Sequence, residues 1–126
     1  MHLQILTLKT SMKQGELWLI NLDPTIGAEI KKTRPAIIVS DDLLGKLPLK
    51  IIVPITDWKE KYEIAPWMIK IEPNSINGLT KDSSADCFQV RSVSQERFVK
   101  RLGYISDIIL EEIKIGLSKV LSIENQ

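Results

Sequence analysis

Short apolar segments separated by turn-forming residues run through most of this chain, and this pattern limits the folds that are open to it. Apolar runs of about four to eight residues, bounded by glycine, proline, asparagine or aspartate, are typical of β-strands. The pattern predicts five or six strands, at residues 17–22, 35–40, 50–56, 67–71, 84–93 and, as the sixth, 101–105. Segment 84–93 is treated as one continuous strand, and a helical turn is predicted around residues 94–99.

Two of these segments carry further information. Residues 35–40 are almost entirely apolar, which predicts a strand that is buried on both faces. Pro54 interrupts the segment at 50–56, and because proline cannot donate to a strand ladder, it predicts an edge strand or a bulge there.

A helical pattern follows the last strand. Ile109, Ile113, Leu117 and Val120 recur at spacings of three and four residues, which makes one apolar stripe. Ser106 or Asp107 is suited to cap the first turn. Gly116 lies inside this helix and costs about 1 kcal/mol relative to alanine, so packing must hold the helix in place.

The sum of these patterns predicts a mostly β fold with a C-terminal helix, of the α+β class. A small, strongly bent sheet or partial barrel with the helix laid against it satisfies the pattern. The 126 residues suit one domain, expected at residues 12–126. Residues 1–11 are expected to be an N-terminal extension or a short added strand.

The chain contains one histidine, His2, and one cysteine, Cys87, and this scarcity excludes several kinds of site. A structural zinc site of Cys and His ligands, a disulfide within the chain and a pair of catalytic histidines are all excluded. Cys87 is expected to be a buried, inert thiol, because no histidine is available to activate it. We expect no metal ion and no cofactor.

The charges nearly balance, with 17 Lys and Arg against 16 Asp and Glu, so any nucleic-acid contact must come from a small local groove. The longest apolar runs are too short to span a bilayer, which needs about 20 residues. These features predict a cytoplasmic protein without a membrane partner.

The loop at residues 23–33 and the strand that follows it hold the richest cluster of polar side chains. Three cations, Lys31, Lys32 and Arg34, lie within a few residues of Glu29. Arg34 lies at the junction between the loop and a predicted strand, so its planar guanidinium would be held by rigid backbone, in a position to bind a phosphate with two hydrogen bonds. The same charges also fit an ordinary solvated loop.

Further candidates lie at strand ends. Thr56 has a hydroxyl that suits a phosphate oxygen, and Trp58 follows Asp57 in a polar loop, where it suits stacking on a base. The run Lys81-Asp82-Ser83 leads into a strand that carries Gln89 and Arg91. Each of these residues also has an ordinary structural explanation as part of a turn or a polar strand face.

Several short motifs occur in order along the chain. They are Gly15-Glu16-Leu17-Trp18, Asp23-Pro24-Thr25-Ile26-Gly27-Ala28-Glu29, Thr33-Arg34-Pro35-Ala36, Pro54-Ile55-Thr56, Gly78-Leu79 with Lys81-Asp82-Ser83, Gln89-Val90-Arg91-Ser92-Val93, and Arg97 with Leu102-Gly103. This ordered set, spread over residues 15–123, resembles the MazF/PemK family of toxin endoribonucleases from type II toxin–antitoxin systems.

The resemblance implies an SH3-like curved barrel of the MazF, CcdB and Kid type, and a homodimer that binds a cognate antitoxin protein. It implies metal-independent, sequence-specific cleavage of single-stranded RNA, as in an mRNA interferase, to 2′,3′-cyclic phosphate and 5′-hydroxyl ends. Arg34 and Thr56 match the catalytic positions of the family. The residues expected to bind the substrate are Glu29, Lys31, Lys32, Thr33, Asp57, Trp58, Ser83, Gln89 and Arg91. Thr33 stands where some members of the family have a histidine.

Two other functions remain open at this point. A sibling family with the same fold contains non-enzymatic toxins that bind DNA gyrase or another topoisomerase. A member that binds RNA but has lost cleavage would also retain these motifs.

Overall fold

Seven antiparallel strands and a C-terminal helix make up the fold of the computed structural model, which describes residues 12–44 and 47–124. The elements are β1 (Glu16–Asn21), β2 (Thr33–Ile38), β3 (Leu49–Asp57), β4 (Met68–Ile71), β5 (Ser83–Asp86), β6 (Arg91–Ser94), β7 (Phe98–Tyr104) and α1 (Asp107–Val120). The predicted mostly β fold with a C-terminal helix is confirmed.

The strand order is β4-β5-β3-β2-β1-β7, and β6 pairs with β3 beside β5. Within the described residues β4 and β7 do not pair with each other, so the sheet is curved and open rather than a closed barrel. Short 3₁₀ turns at Asp42–Leu44, Glu60–Ile64, Cys87–Gln89 and Gln95–Arg97 connect the strands. The last of these confirms the helical turn predicted between the final strands.

The prediction of one continuous strand at residues 84–93 is wrong. The segment forms two strands, β5 and β6, which are separated by the 3₁₀ turn at Cys87–Gln89. Ile52 of β3 pairs with Arg91, whereas Ile55 pairs with Ala85, so three residues along β3 pass six residues of the partner segment. The 3₁₀ turn accommodates the three extra residues and interrupts the pairing in this part of the sheet.

Pro54 lies at this interruption and explains it. The Val39 N–H donates to the Ile51 carbonyl at 2.9 Å, so the odd-numbered residues of β3 direct their backbone groups toward β2. By alternation, Pro54 faces β5 and β6, and at this position the strand has no N–H to donate. The interruption beside Pro54 lies in the 3₁₀ turn of the partner segment, whereas β3 itself is one strand from Leu49 to Asp57. The edge-strand alternative is wrong because β3 has partners along both edges.

Two apolar cores lie on opposite faces of the sheet. Ile37 of β2 packs into the core beneath α1, whereas Ala36 and Ile38 pack into the core on the other face, and all three are fully buried. The predicted burial of this strand on both faces is therefore confirmed. The first core also contains Leu17, Val53, Ile55, Ile71, Ala85, Cys87, Ile105 and Ile113, and the second contains Met12, Ile20, Leu22, Ile52 and Val93.

Helix α1 begins where the capping residues predicted it. The Ser106 hydroxyl accepts a hydrogen bond from the Ile109 N–H at 3.2 Å, and Ile113 is fully buried against the sheet. Gly116 allows a close approach between the helix and the sheet, because a Cβ at this position would lie 2.9 Å from the Cys87 Sγ. This contact explains why packing tolerates a glycine within the helix.

A second close approach joins the loop at residues 72–80 to β7. Tyr104 N–H donates to the Ile76 carbonyl at 3.1 Å, and both Gly78 and Gly103 lie against backbone atoms of the other segment. Asn77 is buried. Its Nδ2 donates to the Glu72 carbonyl at 2.9 Å, and its Oδ1 accepts from the Leu79 N–H at 3.0 Å. The loop is thereby fixed to the sheet by backbone contact.

Cys87 is fully buried, as expected for an inert thiol, and burial raises its pKa to about 12 with a smaller contribution from the Asp86 carboxylate. An unfolded chain ionises its thiol near pH 8.5, so the stability from the neutral thiol is intact below that pH and is lost as the pH rises toward 12.

At pH 8 we expect dithiobis(nitrobenzoate) to react with the Cys87 thiol at least ~100-fold more slowly in the folded protein than in the protein unfolded by urea. Equal rates would contradict this burial, and Cys87→Ala serves as the blank.

The predicted N-terminal extension at residues 1–11, which includes His2, lies outside the described residues. Within the ranges 12–44 and 47–124, the structure has no helix that combines the length and the hydrophobicity needed to cross a bilayer.

Candidate active site

Arg34 and Thr56, the two predicted catalytic residues, lie opposite each other on neighbouring strands. Ala36 of β2 pairs with Pro54 of β3, and continuing this register by two residues places Arg34 opposite Thr56. Both residues line one small cavity of about 120 Å³. The fold therefore brings together two residues that are 22 positions apart in the sequence.

The cavity lies where the ladder between β2 and β3 ends. Val39 directs its N–H toward β3. Because the direction of the backbone N–H alternates along a strand, the residue at position 35 would also direct an N–H toward β3, but this residue is Pro35. Proline has no N–H to donate, and the ladder ends at the pair of Ala36 with Pro54. Beyond that pair, the two strand ends leave their side chains accessible to a ligand.

The charges around this cavity leave Arg34 available. Lys81 Nζ lies 3.1 Å from Asp57 Oδ1, so these two lining residues form an ion pair with each other. Arg34 Nε donates to the Lys31 carbonyl at 3.4 Å, and among the described residues no carboxylate lies within ion-pair distance of the guanidinium. A half-buried cation without a counterion favours the binding of an anion in the cavity.

Ser83 also lines the cavity, but its hydroxyl is already engaged. The side chain is buried, and Oγ donates to the Lys81 carbonyl at 2.9 Å. Leu79, Thr80 and Lys81 complete the wall, and they belong to the segment that the close contacts of Gly78 hold against β7. Packing of the backbone at a distance from the cavity thus sets its shape.

A larger cleft of about 480 Å³ adjoins the cavity. Its lining consists of Ala28, Glu29, Ile30, Pro54, Phe88, Gln89, Val90 and Arg91. Pro54 and Thr56 lie two residues apart on one face of β3, a separation of about 7 Å in a strand. The cleft and the cavity therefore form adjacent parts of one surface.

In this structure the segment at residues 22–30 forms hydrogen bonds with two predicted substrate-binding residues. Gln89 Oε1 accepts a hydrogen bond from the Ile30 N–H at 2.6 Å, and Gln89 Nε2 donates to the Ala28 carbonyl at 3.3 Å. Arg91 Nη1 donates to the Leu22 carbonyl at 3.2 Å. Gln89 and Arg91 thus hold the loop that forms one side of the cleft.

Contacts within the loop fix its shape. Glu29 Oε1 accepts from the Ile26 N–H at 2.5 Å, and Asp23 Oδ1 accepts from the Lys32 N–H at 2.9 Å. Lys32 has a φ of 69°, in the left-handed region that few residues other than glycine adopt. Lys31, Lys32 and Thr33 are exposed at the end of the loop, next to Arg34.

Trp58 is half-buried, and one neighbour lies over its ring. Lys70 Nζ lies 5.3 Å from the ring centroid, and the Tyr62 ring packs edge-to-face at 5.8 Å. The Trp58 N–H donates to the Asp82 carbonyl at 3.1 Å, which fixes the start of this loop next to Asp57. Stacking of an RNA base on Trp58 stays a prediction.

Phe88 and Arg97 also belong to the site, although their local sequence patterns do not predict this. Phe88 is 66% exposed at the mouth of the cleft, because it belongs to the 3₁₀ turn rather than to a continuous strand. Arg97 Nη1 donates to the Asn21 carbonyl at 3.1 Å and to the Asp23 carbonyl, and so holds the base of the loop. Both roles depend on contacts between distant segments, which local sequence patterns do not reveal.

Asp86 supports the turn that presents Phe88 and Gln89. Its Oδ1 accepts from the Phe88 N–H at 3.1 Å, which caps the 3₁₀ turn. Burial raises the pKa of Asp86, while hydrogen bonds from Phe88 and Gln89 partly oppose that shift. The carboxyl group therefore anchors the side of the cleft opposite the loop.

Comparison with known proteins identifies relatives over almost the whole chain. The family described as PemK-like, MazF-like toxin of type II toxin–antitoxin system matches residues 13–121. Endoribonuclease PemK of Escherichia coli is 30% identical over 124 residues, which is 97% of this chain and 91% of that protein.

Solved structures of low sequence identity share the fold. MazF from Deinococcus radiodurans superposes with a TM-score of 0.74 at 23% identity, over 88% of this chain and 96% of that one. A mycobacterial endoribonuclease, solved in complex with its cognate antitoxin, superposes with a TM-score of 0.70 at 15% identity, over 90% of this chain and 98% of that one. The open curved sheet with its C-terminal helix is therefore the fold of these structures.

Proposed function

This chain belongs to the PemK-like, MazF-like family of type II toxin–antitoxin toxins, and from that membership we propose that it is an endoribonuclease toxin that cleaves single-stranded RNA without a metal ion. The observation that carries the proposal is the juxtaposition of Arg34 and Thr56 in one cavity, with no carboxylate paired to the arginine among the described residues. An accessible cation beside a hydroxyl suits a phosphodiester group.

The substrate itself supplies the nucleophile in this reaction. The ribose 2′-oxygen attacks the adjacent phosphorus and gives its proton to water, while the bond from phosphorus to the 5′-oxygen breaks and that oxygen takes a proton from water. The products are a 2′,3′-cyclic phosphate and a 5′-hydroxyl. The protein has to align the attack and stabilise the additional negative charge on the phosphate oxygens.

Arg34 and Thr56 divide this task between them. The Arg34 guanidinium donates two parallel hydrogen bonds to the phosphate, and its charge has more effect as the phosphate becomes pentacoordinate. In this proposal its positive charge also stabilises the leaving 5′-oxygen until that oxygen is protonated. The Thr56 hydroxyl donates to a non-bridging oxygen. This division uses the chain's accessible side chains and requires no histidine.

The neighbouring cleft suits the nucleotides that flank the scissile phosphate. Phe88 offers an exposed ring for base stacking, and Gln89 and Arg91 are able to contact RNA once the loop releases them. Glu29, Lys31, Lys32 and Thr33 lie along the loop, with Asp57, Trp58 and Ser83 at the cavity end. With a net charge of +1, the protein contacts only a few phosphates, which favours short single-stranded sites.

An RNA digestion tests this function. A long RNA is incubated with the purified protein in EDTA, and the cleaved ends are mapped. We expect discrete cuts with 5′-hydroxyl ends, and an about 100-fold slower reaction for Thr56→Val, which keeps the β-branched shape but removes the donor. The absence of cleavage, or cleavage that appears only when Mg²⁺ is added, would contradict the proposal.

The alternative function is that of a toxin of the same fold that inhibits DNA gyrase, and the same protein preparation can be used to test it. The named relative over nearly the full chain is an endoribonuclease, which favours RNA cleavage over gyrase binding. Inhibition of gyrase supercoiling by a protein that leaves all single-stranded RNA intact would reverse this preference.

We also propose that the protein acts in the cytoplasm as a homodimer and is neutralised by an antitoxin. The mycobacterial endoribonuclease of the same fold was solved with its cognate antitoxin, which supports neutralisation by an antitoxin. Five apolar side chains between residues 43 and 51 are exposed, and exposed apolar residues that form a patch favour a protein interface. These five residues are Leu43, Leu44, Leu47, Leu49 and Ile51.

A further inference from the structure

Ser84 lies in the middle of β5 and is fully buried, and its hydroxyl has no hydrogen-bond partner among the described residues. Native proteins leave few buried polar groups unpaired, because such a group loses its bonds to water and gains none in return. Alanine would fill the same position without this penalty. A hydroxyl that destabilises the resting protein therefore calls for a role in another state of the molecule.

The register of the sheet places Ser84 directly beside Thr56. Thr56 of β3 pairs with Ser84 on one side, and Lys70 of β4 pairs with Ser84 on the other. Directly opposed residues on antiparallel strands point to the same face, with their Cβ atoms about 4.5–5.5 Å apart. Ile55 and Ala85, one residue along, point to the opposite face and belong to the core beneath α1.

Thr56 lines the cavity, but Ser84 does not. The two hydroxyls therefore occupy successive positions on one face of the sheet, Thr56 at the cavity wall and Ser84 buried beside it. Cross-strand hydrogen bonds between serine and threonine are a common pairing, and a rotation of one side chain about χ1 brings such hydroxyls within bonding distance.

We propose that Ser84 is a positioning residue for Thr56 in RNA cleavage, an inference that rests on the function proposed above. When the phosphate occupies the cavity, the Ser84 hydroxyl donates to Thr56 Oγ1, and the Thr56 hydroxyl donates its own proton to a non-bridging phosphate oxygen. No covalent bond forms or breaks in this relay. The Ser84 donor selects one rotamer of Thr56, and hydrogen bonds in a chain strengthen one another.

The relay explains why the buried hydroxyl is retained. Ser84 is unpaired in the free protein and becomes paired when Thr56 turns toward the substrate. The negative charge on the phosphate oxygens increases in the transition state, so the relay is strongest there, and such an interaction raises kcat more than it raises substrate affinity. Ser84 is thus expected to affect the chemical step and to have little effect on RNA binding.

The test uses Ser84→Ala in the full chain, with a short oligoribonucleotide that contains a mapped cleavage site. We expect kcat to fall about tenfold, KM to change less than twofold, and the thermal unfolding midpoint to stay equal or rise. Ser84→Cys keeps a side chain of similar size, but its thiol is only a weak hydrogen-bond donor, so this variant should give an intermediate kcat. Ser92→Ala, an exposed serine on β6, is the matched control and should retain full activity.

A double-mutant cycle separates positioning from simple structural support. In a Thr56→Val background, adding Ser84→Ala should cause no further loss of kcat, because the group that Ser84 positions is already absent. A tenfold loss that persists in this background, or a parallel fall in kcat and unfolding midpoint, would overturn the proposal. If Ser84→Ala keeps full activity while Arg34→Ala is inactive, this inference alone fails. If the wild-type protein cleaves no RNA, the proposed function fails first.

Discussion

Arg34→Ala is expected to reduce kcat/KM for RNA cleavage about 1000-fold while the protein remains folded. The side chain is half-buried at the cavity, and among the described residues no carboxylate neutralises it. Its charge is therefore available to the phosphate, where negative charge increases on the way to the transition state. Initial rates on a mapped oligoribonucleotide measure the loss.

The conservative variant reports on geometry as well as charge. Arg34→Lys keeps the positive charge but loses the planar pair of donors, so we expect it to recover only a small part of the activity. Binding of a substrate with a 2′-deoxyribose at the cleavage position should weaken much less than kcat does, because the ground-state phosphate carries less charge.

Lys114→Ala is a suitable control for the loss of one cation, since Lys114 is exposed on α1 and does not line the cavity or the cleft. It should cleave at the wild-type rate. An Arg34→Ala protein that retains more than a tenth of the activity would remove Arg34 from the mechanism. A large fall in its unfolding midpoint would instead assign Arg34 a structural role.

Gly103→Ala is expected to lower the free energy of unfolding by several kcal/mol, because the added methyl group has no space. A Cβ on Gly103 would overlap the Ile76 carbonyl oxygen and would lie 2.8 Å from the Asn77 carbonyl carbon. These are backbone atoms that cannot rotate away as a side chain does. Gly103 also pairs with Leu17 of β1, so β7 is constrained from the other side.

Gly27→Ala provides the control for this stability measurement. Gly27 has a φ of 59°, but a Cβ there would meet no atom within 4 Å, so only backbone strain of about 1 kcal/mol is expected. Urea unfolding of both variants measures the difference. Equal losses of stability would show that β7 and the loop at residues 72–80 separate more easily than their contacts indicate.

Much of the fold was predictable from local patterns. The alternation and continuity of apolar residues located the strands, and the Ser106 cap and the apolar stripe located α1. The division between β5 and β6 was not predictable in this way, because residues 84–93 have the composition of one strand. The break depends on Pro54, which lies 30 residues before Ser84 and belongs to the neighbouring strand.

The candidate site shows the same limit. Arg34 and Thr56 were identified from their motifs, and the register of β2 and β3 accounts for their meeting. The attachment of the loop to Gln89 joins residues about 60 positions apart, and the burial of Ser84 depends on partners in both β3 and β4. Such features arise from tertiary pairing, about which the sequence of a single segment carries no signal.

The two prolines beside the candidate site have a consequence for how such a site originates. Pro35 removes a rung from one edge of β3 and Pro54 removes a rung from the other, both within two residues of Arg34 or Thr56. Pro35 lines the cavity and Pro54 lines the cleft, so each of these openings lies beside a strand position that has no N–H to donate. Under the function proposed above, a mutation elsewhere can reshape the surrounding loops, and with them the RNA sequence that is recognised, without restoring these hydrogen bonds. Reactivity and sequence preference are therefore free to change independently of each other.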